Sequence, residues 1–206
     1  TYLFFLLGLV MVIANVLYFA WQILLVGYYK EFPDVPIEEL PTCAVVIPAY
    51  NEGRDVMLAI ESVLASDYPP DKLDIIAVND GSSDDTWEWI RKAAEASNGR
   101  VRTINMSCNG GKRKALAAGF SSTDAEIVLS IDSDSIVYPE TVRKMAAPLA
   151  ADPTIGAVAG NVRVSNLKEG LIPRMLDVGF VFGFEFLRSA QSVLRAVLCT
   201  PGALSG

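Results

Sequence analysis

The chain has 206 residues, enough for one ordinary domain and a small addition. Its hydrophobic fraction of 51% and mean hydropathy of +0.34 are high for a domain surrounded by water. The formal net charge of −7 is a poor match for a nucleic-acid backbone, so we expect no nucleic-acid partner. The sequence has no histidine and its three cysteines are far apart, which argues against zinc sites and His-dependent nucleophiles. A metal ion would therefore need oxygen ligands, which suit Mg²⁺ or Mn²⁺.

The excess apolar character lies in residues 1–29, which contain no Asp, Glu, Lys or Arg. A helix of that length measures about 43 Å and would cross a hydrocarbon core of about 30 Å. Asn15 and Gln22 are its strongly polar interruptions. A signal peptide would start with basic residues and have a shorter apolar core, and a buried helix is seldom apolar all round for this length. We predict a transmembrane helix.

After a linker at residues 30–41, rich in proline and acidic residues, predicted strands and helices alternate. Apolar runs predict strands at residues 43–48, 73–78, 101–106, 126–131 and 155–164. Helical spacing predicts helices at residues 54–66, 84–97, 111–120 and 139–150, the last with Pro139 at its first position. This order predicts an α/β fold, with a mostly parallel sheet and flanking helices.

Polar residues follow three of these strands, at residues 49–52, 79–83 and 132–135. Ligands bind such sheets beyond the carboxyl ends of the strands, so we expect the three loops to form one site.

The third loop contains the Asp132-Ser133-Asp134 sequence. If the extended conformation continues past residue 131, both carboxylates face one point and Ser133 faces away. Two adjacent carboxylates repel unless a cation lies between them, and a divalent cation there would also hold a diphosphate. The alternative is a solvated acidic turn before the next helix.

Two further sequences have a functional and a structural interpretation. Asp80 either accepts a hydrogen bond from a ligand N–H group, such as a uracil imide, or belongs to an ordinary capped turn. Lys112 follows two glycines at the start of a helix, where cations are unfavourable unless an anion is near. That position favours a diphosphate contact over a solvated basic helix start.

Taken together, four sequences resemble the GT-A domain of family 2 glycosyltransferases. They are Val46-Ile-Pro-Ala-Tyr-Asn-Glu52, Val78-Asn-Asp-Gly-Ser-Ser-Asp-Asp-Thr86, Gly111-Lys-Arg-Lys-Ala115 and Ile131-Asp-Ser-Asp-Ser135. The resemblance covers residues 42–206 and is closest to hyaluronan synthases and nodulation chitin-oligosaccharide synthases, which are processive membrane polysaccharide synthases.

The resemblance implies a GT-A fold, inverting transfer from a nucleotide-diphosphate sugar, and a divalent metal, Mg²⁺ or Mn²⁺, as cofactor. UDP-GlcNAc or UDP-Glc is the expected donor, a saccharide the acceptor, and membrane lipid a further partner. The catalytic domain would be cytoplasmic, at the plasma or inner membrane. The residues expected at the donor and metal are Ala49, Tyr50, Glu52, Asp80, Lys112, Asp132, Ser133 and Asp134. Asp132 and Asp134 are expected to be catalytic and to bind the metal.

The sequence also departs from the family pattern. The family's later carboxylate motif, which carries the general base, and its Gln-x-x-Arg-Trp motif do not occur up to Gly206. Cys199 begins a Cys-Thr-Pro-Gly-Ala stretch where the related synthases have Ser-Gly-Pro or Cys-Gly-Pro near the acceptor. We therefore expect the general base beyond Gly206 and no turnover by these residues alone. A non-processive transferase to a lipid carrier and an inactive nucleotide-sugar-binding scaffold remain as alternatives.

Residues 171–198 predict a long amphipathic helix. Its charged residues fall within an arc of about 80° at about 100° per residue. We expect it to lie in the membrane interface, and the alternative is a core helix with one wet stripe. The predicted organisation is a transmembrane helix at 1–29, a linker at 30–41 and a GT-A nucleotide-sugar-binding domain at 42–166. The interface helix and the start of an acceptor region occupy 167–206.

Overall fold

The computed structural model describes residues 2–197 and 202–206. They form two compact units. The sheet unit comprises the described residues within 32–160 and 200–206, and the helical unit comprises those within 1–31 and 161–199.

The sheet unit confirms the predicted α/β fold. In chain order it contains β1 (Cys43–Ala49), α2 (Asp55–Leu64), β2 (Leu73–Asn79), α3 (Thr86–Ala96), β3 (Val101–Asn105), α4 (Lys112–Phe120), β4 (Ile127–Ile131), α5 (Thr141–Ala151) and β5 (Leu204–Ser205). The strand order is β3-β2-β1-β4-β5. β1 to β4 are parallel, and β5 pairs antiparallel with β4.

The core lies at the centre of this sheet. Every residue of β1 is buried, as expected for a parallel strand covered on both faces. One face packs under α4, where Val46 and Ala115 belong to a single apolar cluster. Gly119 allows this approach, since a Cβ atom there would lie 2.4 Å from Cγ1 of Val46. The register places Asn79 directly beside Ala49, so the loops after β1 and β2 leave the sheet side by side.

Two predicted elements of the sheet unit are wrong in detail. Residues 155–164 do not form the predicted strand, and the fifth strand is Leu204–Ser205 instead. Pairing of the 155–164 segment is limited to its middle, where Ala159 bridges Ser205 and Val158 and Gly160 form backbone hydrogen bonds with Gly206 and Leu204. Pro139 is not the first residue of a helix, because α5 begins at Thr141. The carbonyl of Pro139 accepts a hydrogen bond from the Asp67 N–H at 2.9 Å, and this contact holds the preceding turn.

The helical unit contains α1 (Tyr2–Tyr28), α6 (Leu171–Phe180), a π-helical segment (Val181–Phe186) and α7 (Leu187–Val193). By length and composition α1 could cross a membrane, and it is the one such helix among the described residues. Two of its residues are buried, Gln22 and Leu25. Phe19 packs against the rings of Phe182 and Phe186, at centroid distances of 6.3 and 5.7 Å.

The predicted helix at residues 171–198 is shorter and less regular than the sequence suggested. Its helical part ends at Val193, and Arg195 has a positive φ of 53° in the turn that follows. Leu198 lies outside the described residues. The π-helical turn has more residues per turn than an α-helix, so an arc calculated at 100° per residue does not hold across it.

Candidate functional site

Side-chain hydrogen bonds tie the loop after β1 to the loop after β2. The N–H of Asn51 donates to Oγ of Ser82 at 3.0 Å, and the N–H of Ser83 donates to Oδ1 of Asn51 at 2.9 Å. Asn51 and Gly53 both have positive φ, a conformation that Asn and Gly adopt more readily than other residues. The polar residues after the two strands therefore form one connected structure.

Thr86, at the start of α3, fixes the backbone of Glu52. Its side chain is fully buried, and Oγ1 accepts hydrogen bonds from the N–H groups of Glu52 and Gly53 at 2.9 and 2.8 Å. Oδ1 of Asp84 accepts from the hydroxyl and the N–H of Thr86. Asp84, two residues before α3 begins, thus caps the first N–H group of that helix.

Asp80 connects the loop after β2 to the loop after β3. It is 2% exposed, and Oδ1 accepts a hydrogen bond from the N–H of Gly110 at 2.8 Å. Gly81 lets the loops meet, because its φ is +66° and a Cβ atom there would lie 2.4 Å from the carbonyl carbon of Cys108. Asp80 is therefore a buried acid in a loop-to-loop contact, and the simple capping interpretation does not describe it.

The Asp132-Ser133-Asp134 sequence forms a turn, because β4 ends at Ile131 and the N–H of Ser135 donates to the carbonyl of Asp132 at 3.0 Å. The expectation that Ser133 faces away from the carboxylates is wrong. Ser133 is 4% exposed and lines the same cavity as both aspartates. A turn rotates successive side chains differently from a strand, so alternation does not apply here.

Lys112, the first residue of α4, contacts the same loop. Its ammonium group forms an ion pair with Asp132 and donates to the carbonyl of Gly202 at 3.0 Å. The segment that carries Gly202 is held at this edge of the sheet, since the N–H of Asp132 donates to the carbonyl of Ala203 at 3.1 Å.

These loops enclose a cavity of about 180 Å³ at the carboxyl edge of the sheet. It is lined by Pro48, Ala49, Tyr50, Glu52, Asp80, Lys112, Asp132, Ser133 and Asp134. All eight residues that the sequence predicted for the site are in this lining. The ninth, Pro48, carried no polar signal. The sequence also did not predict the contact of Lys112 with the Gly202 carbonyl. A main-chain oxygen 90 residues away cannot be recognised from composition or motif spacing.

The cavity carries more negative than positive charge, since four lining residues are acidic and one is basic. The pKa of Glu52 is raised, first by burial and then by the negative charge of Asp134, with smaller contributions from Asp55 and Asp132. A hydrogen bond from Ser133 opposes this rise. The carboxylates are thus close enough to repel one another, and a cation would relieve that repulsion.

The oxygen donors suit a hard divalent cation that takes its remaining ligands from elsewhere. Within the described ranges, no three acidic or cysteine side chains are grouped so that they could hold a metal ion by themselves. Mg²⁺ is commonly held by one or two carboxylates together with substrate phosphates and water. Asp132 and Asp134 are suited to provide these two carboxylate ligands.

The sequence model described as "Glycosyl transferase family 2" matches residues 44–202, most of the chain. The chain belongs to glycosyl transferase family 2. This family 2 chain is 31% identical over 169 residues to an N-acetylglucosaminyltransferase of Rhizobium leguminosarum bv. viciae, covering 82% of the chain and 39% of the relative. It is 30% identical over 173 residues to a poly-beta-1,6-N-acetyl-D-glucosamine synthase of Staphylococcus aureus, covering 84% and 41%. The chain therefore spans about two fifths of the length of these relatives.

Among solved structures, the family 2 chain resembles the mannosyltransferase PcManGT from Pyrobaculum calidifontis, which was solved with GDP-Man and Mn²⁺. The TM-score is 0.71 and the identity 25%, over 94% of this chain and 54% of that protein. The likeness confirms the GT-A fold predicted from the four sequence motifs.

A Thr86→Val variant tests how the Glu52 loop of this family 2 chain is held. Valine keeps the shape but leaves two N–H groups without their acceptor, at a cost of about 1–3 kcal/mol each. We expect the free energy of unfolding to fall by about 2–6 kcal/mol, measured by denaturant titration in detergent with tryptophan fluorescence.

The control is Thr103→Val, an exposed position on β3, where a change within about 0.5 kcal/mol is expected. Equal stability losses for the two variants would contradict the role assigned to the Thr86 hydroxyl.

Proposed function

We propose that this protein is a membrane-bound inverting glycosyltransferase that transfers a sugar from a nucleotide-diphosphate sugar to a growing β-linked polysaccharide. The observation that carries the proposal is the cavity at the carboxyl edge of the sheet, which gathers four acidic residues around Lys112. Two relatives support the substrate class, because their names specify N-acetylglucosamine transfer and a poly-beta-1,6-linked product. UDP-GlcNAc fits these names, and UDP-Glc is the other donor we consider.

The nucleotide would occupy the part of the cavity formed by the loops after β1 and β2. Ala49, Tyr50 and Glu52 come from the first loop, and the buried Asp80 from the second. Tyr50 is 45% exposed, so its ring is available to a base or ribose. The carboxylate of Asp80 is suited to accept a hydrogen bond from an N–H group of the base, as a uracil imide would offer.

The diphosphate would lie near Lys112 and the Asp132-Ser133-Asp134 turn. Asp132 and Asp134 would hold a divalent cation, Mg²⁺ or Mn²⁺. That cation supplies charge neutralisation for the departing nucleoside diphosphate. Lys112 adds a second positive charge to the same leaving group, and the Ser133 hydroxyl offers a hydrogen bond. The mannosyltransferase PcManGT was solved in complex with GDP-Man and Mn²⁺, which supports this assignment.

In the transfer step, a hydroxyl of the acceptor saccharide attacks the anomeric carbon on the face opposite the diphosphate. The bond from that carbon to the diphosphate oxygen breaks as the new glycosidic bond forms, and the configuration inverts. The hydroxyl proton goes to a carboxylate that we place outside these 206 residues. The chain alone should therefore bind donor without turnover.

The membrane assignment rests on α1, whose residues are exposed apart from a few near its carboxyl end. In water such a surface would be unfavourable, so a bilayer is the environment we propose for it. For α6 we propose the interface. Leu171, Ile172, Met175, Leu176 and Val178 are all more than half exposed there. Asp177 is buried on the other side, and its pKa is lowered to about 2 by the Arg163 guanidinium and the Val164 N–H.

Replacing Asp134 by Asn tests the assignment of the metal. The change removes one negative charge with little change in shape. We expect sugar incorporation from a radiolabelled donor to fall by about 100-fold or more in the full-length protein, because a carboxylate ligand worth several kcal/mol is lost. EDTA should abolish incorporation by the unaltered protein.

Asp124→Asn, at an exposed position outside the cavity lining, is the matched control and should retain normal incorporation. The proposed metal site would be contradicted if Asp134→Asn incorporated sugar at the normal rate, or if EDTA had no effect on the unaltered protein.

The position of α6 can be tested with an environment-sensitive fluorophore on single cysteines in lipid nanodiscs, with the native cysteines replaced by alanine. Labels at positions 175 and 178 should be quenched by lipids with brominated acyl chains, because these exposed apolar positions would lie in the interface. A label at position 9 in α1 should also be quenched, and one at position 124 should not.

Quenching at position 9 without quenching at positions 175 and 178 would show that α6 is an internal helix, the alternative that the sequence left open.

A further inference from the structure

Lys112 occupies a position that the proposed mechanism also requires for a metal ion. Its ammonium group is paired with Asp132, one of the two carboxylates assigned to the cation, and it is the one basic side chain in the lining of the cavity. An ammonium group and a divalent cation repel each other, so both cannot be held equally well at the same carboxylate. Lys112 therefore competes with a metal ion whenever it keeps this position.

A second contact holds Lys112 there. An ammonium group has three donors, and one of them reaches the carbonyl of Gly202 at 3.0 Å. Because the Gly202 segment is anchored to the Asp132 turn through Ala203, the two acceptors of Lys112 are fixed relative to each other. Two acceptors, the Asp132 carboxylate and the Gly202 carbonyl, thus hold the ammonium group of Lys112 at this place.

We propose that Lys112 exchanges partners during donor loading, leaving Asp132 and the Gly202 carbonyl for the diphosphate, and thereby couples cation binding to nucleotide binding. This inference rests on the proposed donor site. Lysine suits the exchange because its four-carbon chain is flexible and its charge is a compact point that either anion can accept. The diphosphate removes the competing ammonium group from Asp132, and the carboxylate is then available to the divalent cation.

The exchange predicts positive cooperativity in both directions, because coupling free energies are reciprocal. Without nucleotide, Lys112 neutralises Asp132 and the cation binds weakly. With nucleotide, Lys112 pairs with the diphosphate and the cation binds more tightly. Across proteins such coupling is typically about 5- to 150-fold.

The experiment measures Mn²⁺ affinity by electron paramagnetic resonance of the 206-residue chain in detergent, with and without UDP. In the unaltered chain, UDP should tighten Mn²⁺ binding by about tenfold or more. Lys112→Met should bind Mn²⁺ alone more tightly than the unaltered chain does and bind UDP more weakly. Its coupling factor should be smaller than that of the unaltered chain, because only the direct contact between the diphosphate and the cation then remains. Lys112→Arg keeps the charge and should restore part of the coupling.

Lys144→Met, at an exposed position of α5 outside the cavity lining, controls for the loss of one positive charge and should behave as the unaltered chain does. A merely structural role for Lys112 would weaken Mn²⁺ binding in Lys112→Met without UDP, and that result overturns the inference. Unchanged coupling in Lys112→Met overturns it as well, while leaving the donor site intact. If the unaltered chain binds neither Mn²⁺ nor UDP, the proposed function itself fails and the inference fails with it.

Discussion

The site depends on a concentration of negative charge that the protein only partly neutralises. Glu52, Asp80, Asp132 and Asp134 line one cavity with Lys112 as their basic neighbour. The raised pKa of Glu52 is a direct consequence, because burial and the nearby aspartates both disfavour its ionised form. Ionised carboxylates repel an anionic diphosphate, and Lys112 offsets only part of that charge. For this reason we assign a divalent cation to Asp132 and Asp134 in the proposed mechanism.

This arrangement is possible because the backbone of each loop is held by buried polar contacts. Thr86 accepts two N–H groups beside Glu52, and Asp80 accepts the N–H of Gly110. The parallel register brings Asn79 beside Ala49, so the first two loops start from adjacent positions. The central strands are largely apolar and buried, and most of the polar residues collect at the strand ends, where ligands bind in this class of fold.

The sequence predicted most of the sheet and eight of the nine residues that line the cavity, because strand-helix alternation and polar strand ends are local signals. It did not predict contacts that depend on distant parts of the chain. Residues 155–164 have the composition of a strand, but it is Leu204–Ser205 that pairs with β4 at the edge of the sheet. Ser133 enters the cavity because the chain turns after Ile131. The Gly202 carbonyl meets Lys112 only in the folded protein.

The central claim is that this cavity binds the donor nucleotide, and calorimetric titration of UDP into the chain with Mn²⁺ tests it most directly. The unaltered chain should bind UDP, and Asp80→Ala should bind it about tenfold more weakly or worse, because a buried hydrogen-bond partner worth about 1–3 kcal/mol is lost. Asp124→Ala should match the unaltered chain. An affinity for UDP that Asp80→Ala leaves unchanged would contradict the account.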